Sequence, residues 1–129
     1  MNVIESYWEA AQVAAGISGA KAELLYAQFA HETGNFTSEL CREYNNLAGV
    51  TQTEQNELGQ PDGSLWYKKF DDLLHFARYF GKFIRLFDGA VEAKDIIEYA
   101  TCLKEGGYYG DTLENYIDGM QSAYDKAFG

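Results

Sequence analysis

An apolar pattern of helical period runs through both ends of this chain and lapses only between residues 45 and 70. Side chains three and four apart share a helix face, so the pattern predicts amphipathic helices around a common core. The first is expected over residues 2–16, with Asn2 and Glu5 as a capping box, Ile4, Trp8, Ala11 and Ala15 inward, and Gly16 as its stop. A second is expected over 18–33, closed by Gly34, and a short helical turn over 38–44. The period returns at Asp71 with a broad stripe from Leu73 through Phe76, Phe80 and Phe83 to Phe87, broken at Asp88-Gly89. Residues 92–105 place Ile96, Ile97, Ala100 and Leu103 inward and stop at Gly106-Gly107. The last helix is expected from Asp111, boxed by Glu114, with Leu113, Tyr116, Ile117, Met120, Tyr124 and Phe128 inward.

The intervening stretch is polar and Gly-rich. Gln60-Pro61-Asp62-Gly63 suits a tight turn, and Leu65-Trp66-Tyr67 suits a short strand after it. The fold class expected is therefore α+β, mostly helical, as one domain over residues 1–129. A small β-hairpin lobe at about 45–70 faces the helical body, and the cleft between them is the natural ligand site. A chain of 129 residues can bury roughly two-thirds of its unfolded surface, enough for a core without staples.

Charge narrows the function. Ten Lys and Arg against 20 Asp and Glu leave a net charge of −10, with a pI near 4.5. Such a surface repels phosphate backbones and anionic headgroups, so no nucleic-acid partner is expected. No apolar run approaches the roughly 20 residues that span a bilayer, so no membrane insertion is expected either. The start, Met1-Asn2-Val3-Ile4-Glu5-Ser6, lacks the basic residues and apolar core of a secretory signal. A soluble domain, or one cut from a longer chain, is expected. Cys41 and Cys102 match no zinc or redox spacing and read as buried thiols, although one disulfide is possible. His31 and His75 have no partner at ligand spacing, so neither a metal site nor a cofactor is expected.

Glu32 is the first candidate for chemistry. It lies three residues after Phe29 and seven after Leu25, on the stripe that should face the interior. A carboxyl there is partly desolvated, which raises its pKa and suits a general acid acting on a leaving oxygen. Gly34 ends the helix beside it, so a substrate can reach the group. Phe36, Tyr44, Trp66, Tyr67, Tyr108 and Tyr109 fall in or beside loops. Rings with polar tips suit the apolar faces and hydroxyls of sugars. Asn45 and Asn46 can satisfy the backbone groups of their own loop.

Gln28-Phe29-Ala30-His31-Glu32-Thr33-Gly34-Asn35-Phe36-Thr37-Ser38, followed by Tyr44-Asn45-Asn46-Leu47-Ala48-Gly49-Val50, resembles the bacterial and phage β-N-acetylglucosaminidases of glycoside hydrolase family 73. Trp66-Tyr67-Lys68-Lys69-Phe70-Asp71 with Phe76-Ala77-Arg78-Tyr79-Phe80, and Gly106-Gly107-Tyr108 with Tyr116 and Tyr124, are similar to later stretches of that family. Ala48, Val50 and Thr51 depart from its usual Phe, Ile and Lys, and Gly110-Asp111-Thr112 from its Thr-Asp-Pro.

The resemblance implies a lysozyme-like fold and hydrolysis of the peptidoglycan glycan strand, with Glu32 as the catalytic acid. Glu54 stands where many members carry a second carboxylate, with Glu57 and Asp62 as competitors, and Tyr108 matches the tyrosine near the cleaved bond. Gln28, Phe36, Asn46, Trp66 and Tyr109 are the residues expected at the substrate. A lytic transglycosylase or a muramidase on the same fold is the nearest alternative, and a non-catalytic wall-binding or virion module the next. The expected setting is the cell wall, in the periplasm or outside the cell. The protein is expected there as a monomer or as part of a phage or secretion assembly, delivered by phage, holin, secretion machine or a longer chain.

Overall fold

The computed structural model describes residues 1–51 and 67–129. Six α-helices account for most of it: α1 (Glu5–Ser18), α2 (Ala22–Glu32), α3 (Glu39–Tyr44), α4 (Leu73–Phe83), α5 (Ile96–Glu105) and α6 (Leu113–Phe128), with a 3-10 turn at Ile84–Leu86. No described helix is long and apolar enough to cross a membrane.

Helix α2 is the axis of the body. Leu24, Leu25, Tyr26, Ala27, Gln28, Phe29 and Ala30 are all buried, so this helix is enclosed on every side instead of along one stripe. It packs against α1 and α6, while α1 also crosses α4 and α5 packs on α6. Phe29 meets the rings of Phe76 and Phe80 edge-on at 5.2 and 5.1 Å, tying α2 to α4. A second aromatic cluster, Trp8, Tyr26, Phe36 and Phe128, closes the opposite end.

Several helix ends differ from expectation, each because a better partner lies elsewhere. Asn2 does not cap α1. Its N–H donates to Ala127 O at 2.6 Å on the terminal helix, and Tyr26 Oη accepts the Ile4 N–H at the start of α1. Gly16 sits inside α1, which continues to Ser18 and ends on the left-handed Gly19 (φ 90°). Helices α2 and α5 begin later than expected, after Lys21 and Asp95. At α4 and α6 the cap is one residue later than the expected starts at Asp71 and Asp111. Asp72 accepts from His75 N, and the Thr112 hydroxyl accepts from Asn115 N. Asp111 then supports α6 from outside by accepting from Thr112 N and Asn115 Nδ2.

The β lobe is not confirmed. Among the described residues there is no strand, only an isolated antiparallel bridge between Thr51 and Tyr67, next to a bond from Lys68 N to Val50 O. The expected turn at 60–63 lies outside the described residues. Both cysteines are free; Cys41 is buried, whereas Cys102 keeps some exposure.

The α1–α4 crossing depends on Gly81. A Cβ there would lie 2.8 Å from Ile17 Cβ and 3.0 Å from the Ala14 carbonyl oxygen, neither of which can swing aside. Alanine would gain about 1 kcal/mol of helix propensity, yet it would force apart a packed interface. Gly81→Ala is therefore expected to lose a net 2 kcal/mol or so in chemical denaturation. Wild-type stability in that variant would show that the two helices separate freely.

Candidate active site

Glu32 is the last residue of α2. The chain turns back at once because Thr33 is buried and bonded on both sides. Its hydroxyl donates to Phe29 O at 2.7 Å and accepts from Phe36 N at 2.8 Å. Gly34, Asn35 and Phe36 then all have positive φ, at 59°, 60° and 66°. That is uncommon for a bulky residue such as Phe36 and costs about 1–3 kcal/mol where it occurs. Phe36 is held there by its ring, stacked on Tyr7 at 4.2 Å and 6°.

The Glu32 carboxyl is pushed up to about 7, chiefly because burial disfavours its charged form. Its place at the C-terminal end of α2 acts in the same direction, since a helix C-terminus disfavours an anion. Tyr116 is the polar group that works against this. At neutral pH the carboxyl is thus poised between holding and releasing a proton, as a general acid requires.

Four elements close around it. The loop after α3 brings Gly49, whose φ is 66° and whose added Cβ would stand 3.5 Å from Glu32 Oε2. From the α5–α6 loop comes Tyr108, whose hydroxyl donates to Ala48 O at 2.7 Å. Helices α5 and α6 supply Tyr99 and Tyr116, exposed by 0% and 2%. All three phenols are raised above their ordinary range, first by burial and next by the Glu32 carboxyl. Tyr108 keeps some ring surface at the protein exterior, but its hydroxyl end is inside. Tyr99 donates to Gln28 Oε1, and the Gln28 side chain also acts on the Tyr108 hydroxyl.

The other residues expected at the substrate are placed variously. Gln28 is fully buried, and among the described residues its Nε2 has no partner in good geometry. Phe36 is turned inward onto Tyr7 and Tyr26. Asn46 is fully buried and uses its amide within its own neighbourhood. Nδ2 donates to Val50 O and Lys68 O, each at 2.9 Å, and Oδ1 accepts from Ala48 N and Val50 N. It is the clip that holds the Gly49 loop against the chain after Tyr67. Tyr109 lies flush on Tyr116 at 3.7 Å and 3°, half-buried, its hydroxyl donating to Ala100 O. Glu54, Glu57, Asp62 and Trp66 lie outside the described residues.

Tyr99, Tyr116 and Gly49 are site neighbours that sequence reasoning did not assign. A tyrosine on an inward stripe is a signal available in the sequence, because its buried hydroxyl calls for a polar partner.

A family model described as Mannosyl-glycoprotein endo-beta-N-acetylglucosaminidase matches residues 8–127. The chain belongs to the glucosaminidase family, glycoside hydrolase family 73. Membership makes it a glycoside hydrolase domain with a glycan substrate. Comparison with curated proteins and with solved structures gave no match. The family match spans α2 and the elements around Glu32, so this half-buried glutamate lies within the glucosaminidase unit.

Proposed function

We propose that this glucosaminidase domain is an endo-β-N-acetylglucosaminidase that hydrolyses the glycan strand of peptidoglycan, with Glu32 as the general acid. What supports this reading is the glucosaminidase family match over residues 8–127 together with the placing of the Glu32 carboxyl at the end of α2, where burial raises its pKa. Glu32 gives its proton to the bridging oxygen as the C1–O bond breaks, and water supplies the hydroxyl that closes C1. Activation of the water falls to Glu54, or to Glu57 or Asp62, or is replaced by attack of the substrate's own acetamido group. Tyr108 orients the reacting end, and Trp66 and Tyr109 offer rings to the sugars. The protein acts at the cell wall, brought there by a phage, a holin, a secretion machine or a longer parent chain.

Mass spectrometry of the fragments released from purified peptidoglycan tests this. Fragments ending in reducing N-acetylglucosamine are expected. Anhydro-muramic ends would instead make the protein a lytic transglycosylase, and reducing muramic ends a muramidase. Folded protein that releases nothing from several wall types would be a binding or structural module.

A further inference from the structure

We propose that Lys104 is a positioning residue for Tyr108: its ammonium, carried by the last turn of α5, clasps the α5–α6 loop and so fixes where the Tyr108 hydroxyl meets the Gly49 loop. This rests on the reading of Tyr108 as the residue that orients the reacting end of the substrate. The loop that carries Tyr108 has little of its own to hold it. Gly106, Gly107, Gly110, Asp111 and Thr112 are all exposed, and Gly107 has a left-handed backbone (φ 78°). A Cβ added at Gly107 or Gly110 would meet nothing within 4 Å among the described residues. Glycine leaves the backbone free to take many conformations, so a loop with Gly106, Gly107 and Gly110 is costly to order.

Lys104 closes this loop from both of its own ends. Its carbonyl oxygen accepts from Gly107 N at 3.0 Å. Its Nζ reaches past the loop, donating to Asp111 O at 2.6 Å and to Gly110 O at 3.4 Å. A lysine in the last turn of a helix ordinarily favours that helix's own final carbonyls. Here the charge serves carbonyls six and seven residues ahead. The same Nζ stands 5.2 Å over the Tyr109 ring. Tyr109 is itself fixed, its hydroxyl donating to Ala100 O at 2.9 Å and its ring lying flat on Tyr116.

Tyr108 lies between the points that Lys104 holds. Its N–H donates to Leu103 O at 2.9 Å, and its hydroxyl crosses to Ala48 O at 2.7 Å. Asn46 pins the Ala48 side of that contact, and Lys104 pins the tyrosine side. The residue after Ala48 is Gly49, which stands against Glu32. A shift of the loop would therefore move the tyrosine out of register with the acid. The effect belongs to turnover more than to stability. Carbonyls freed at Gly110 and Asp111 are exposed and can bond water, so the fold tolerates the loss. Orientation near the reacting bond is less forgiving, because a displacement of about 1 Å is enough to lower a rate severely.

Turnover of soluble peptidoglycan fragments should be measured for wild type, Lys104→Met, Tyr108→Phe and the double variant, with a melting curve of each. Lys104→Met keeps an apolar stem and removes the donor. It is expected to lower kcat about tenfold with KM within about twofold, and the melting temperature by no more than about 5 °C. In the Tyr108→Phe background the same change is expected to cost less than about twofold further, since the contact it serves is already gone. Effects that multiply in the double variant would overturn the proposal. So would wild-type kcat in Lys104→Met, and so would a Lys104→Met chain that does not fold, which would mark a lysine of the general framework. Wild-type turnover in Tyr108→Phe would defeat the reading of Tyr108 itself. A strong Tyr108→Phe defect beside an unaffected Lys104→Met would lose only the clasp.

Discussion

Glu32→Gln is expected to reduce release of glycan fragments by roughly a thousandfold or more, because the amide keeps the shape of the side chain and has no proton to give. The same substitution should leave the fold intact, with a stability change that depends on pH. Folded Glu32 holds its proton to about pH 7, whereas the unfolded chain releases it near 4.5. Between those values the folded state binds more protons, so the contribution of this group is fully present below about pH 4.5 and is lost as pH rises through 7. The difference is at most on the order of 3 kcal/mol. Thermal melts from pH 4 to 8 should therefore fall more steeply for wild type than for Glu32→Gln, with the variant equal or more stable at pH 8. Activity retained together with a large drop in melting temperature would recast Glu32 as a structural residue.

Asn46→Ala is expected to be the most damaging change away from the acid. It removes a donor to the carbonyls of Val50 and Lys68 and an acceptor for the amides of Ala48 and Val50. These backbone groups lie in a buried stretch, where each unpartnered polar group is unfavourable, and the expected loss is about 3 kcal/mol. The loop it releases carries Gly49 against Glu32 and Ala48 against Tyr108. Turnover should drop about tenfold along with stability, since small displacements of a catalytic frame are costly. Denaturant titration and turnover on one preparation check this. Lost turnover at full stability would instead make Asn46 a substrate contact.

The helical body was legible because apolar side chains at spacings of three and four define inward faces over long stretches; packing departs from that pattern at Ile4 and Ile97, expected inward but exposed by 44% and 61%. Helix starts were less so. Asp71 and Asp72, like Asp111 and Thr112, offer neighbouring caps of similar chemistry, and only the backbone path selects between them. At the end of α1 the expected stop, Gly16, is passed over for Gly19, whose left-handed backbone closes the turn. Near the candidate site, the partial burial of Glu32 at the end of α2 was legible from its place on the inward stripe next to a helix stop. Phe36 was not, because its left-handed backbone folds the ring back onto Tyr7, a residue far away in sequence. Asn46 carried two readings from the start, and its four hydrogen bonds favour the loop clip. The environment of Glu32 depends on α5 and α6 arriving from the far end of the chain, which no local pattern around residue 32 encodes.

The most direct test of the central claim is a titration of the Glu32 side-chain carboxyl carbon by NMR in folded wild-type protein. A midpoint near 7 is expected, as for an acid kept protonated by burial at the end of α2. A midpoint near 4.3, the ordinary glutamate value, would mean that the group is ionised at neutral pH and has no proton to donate.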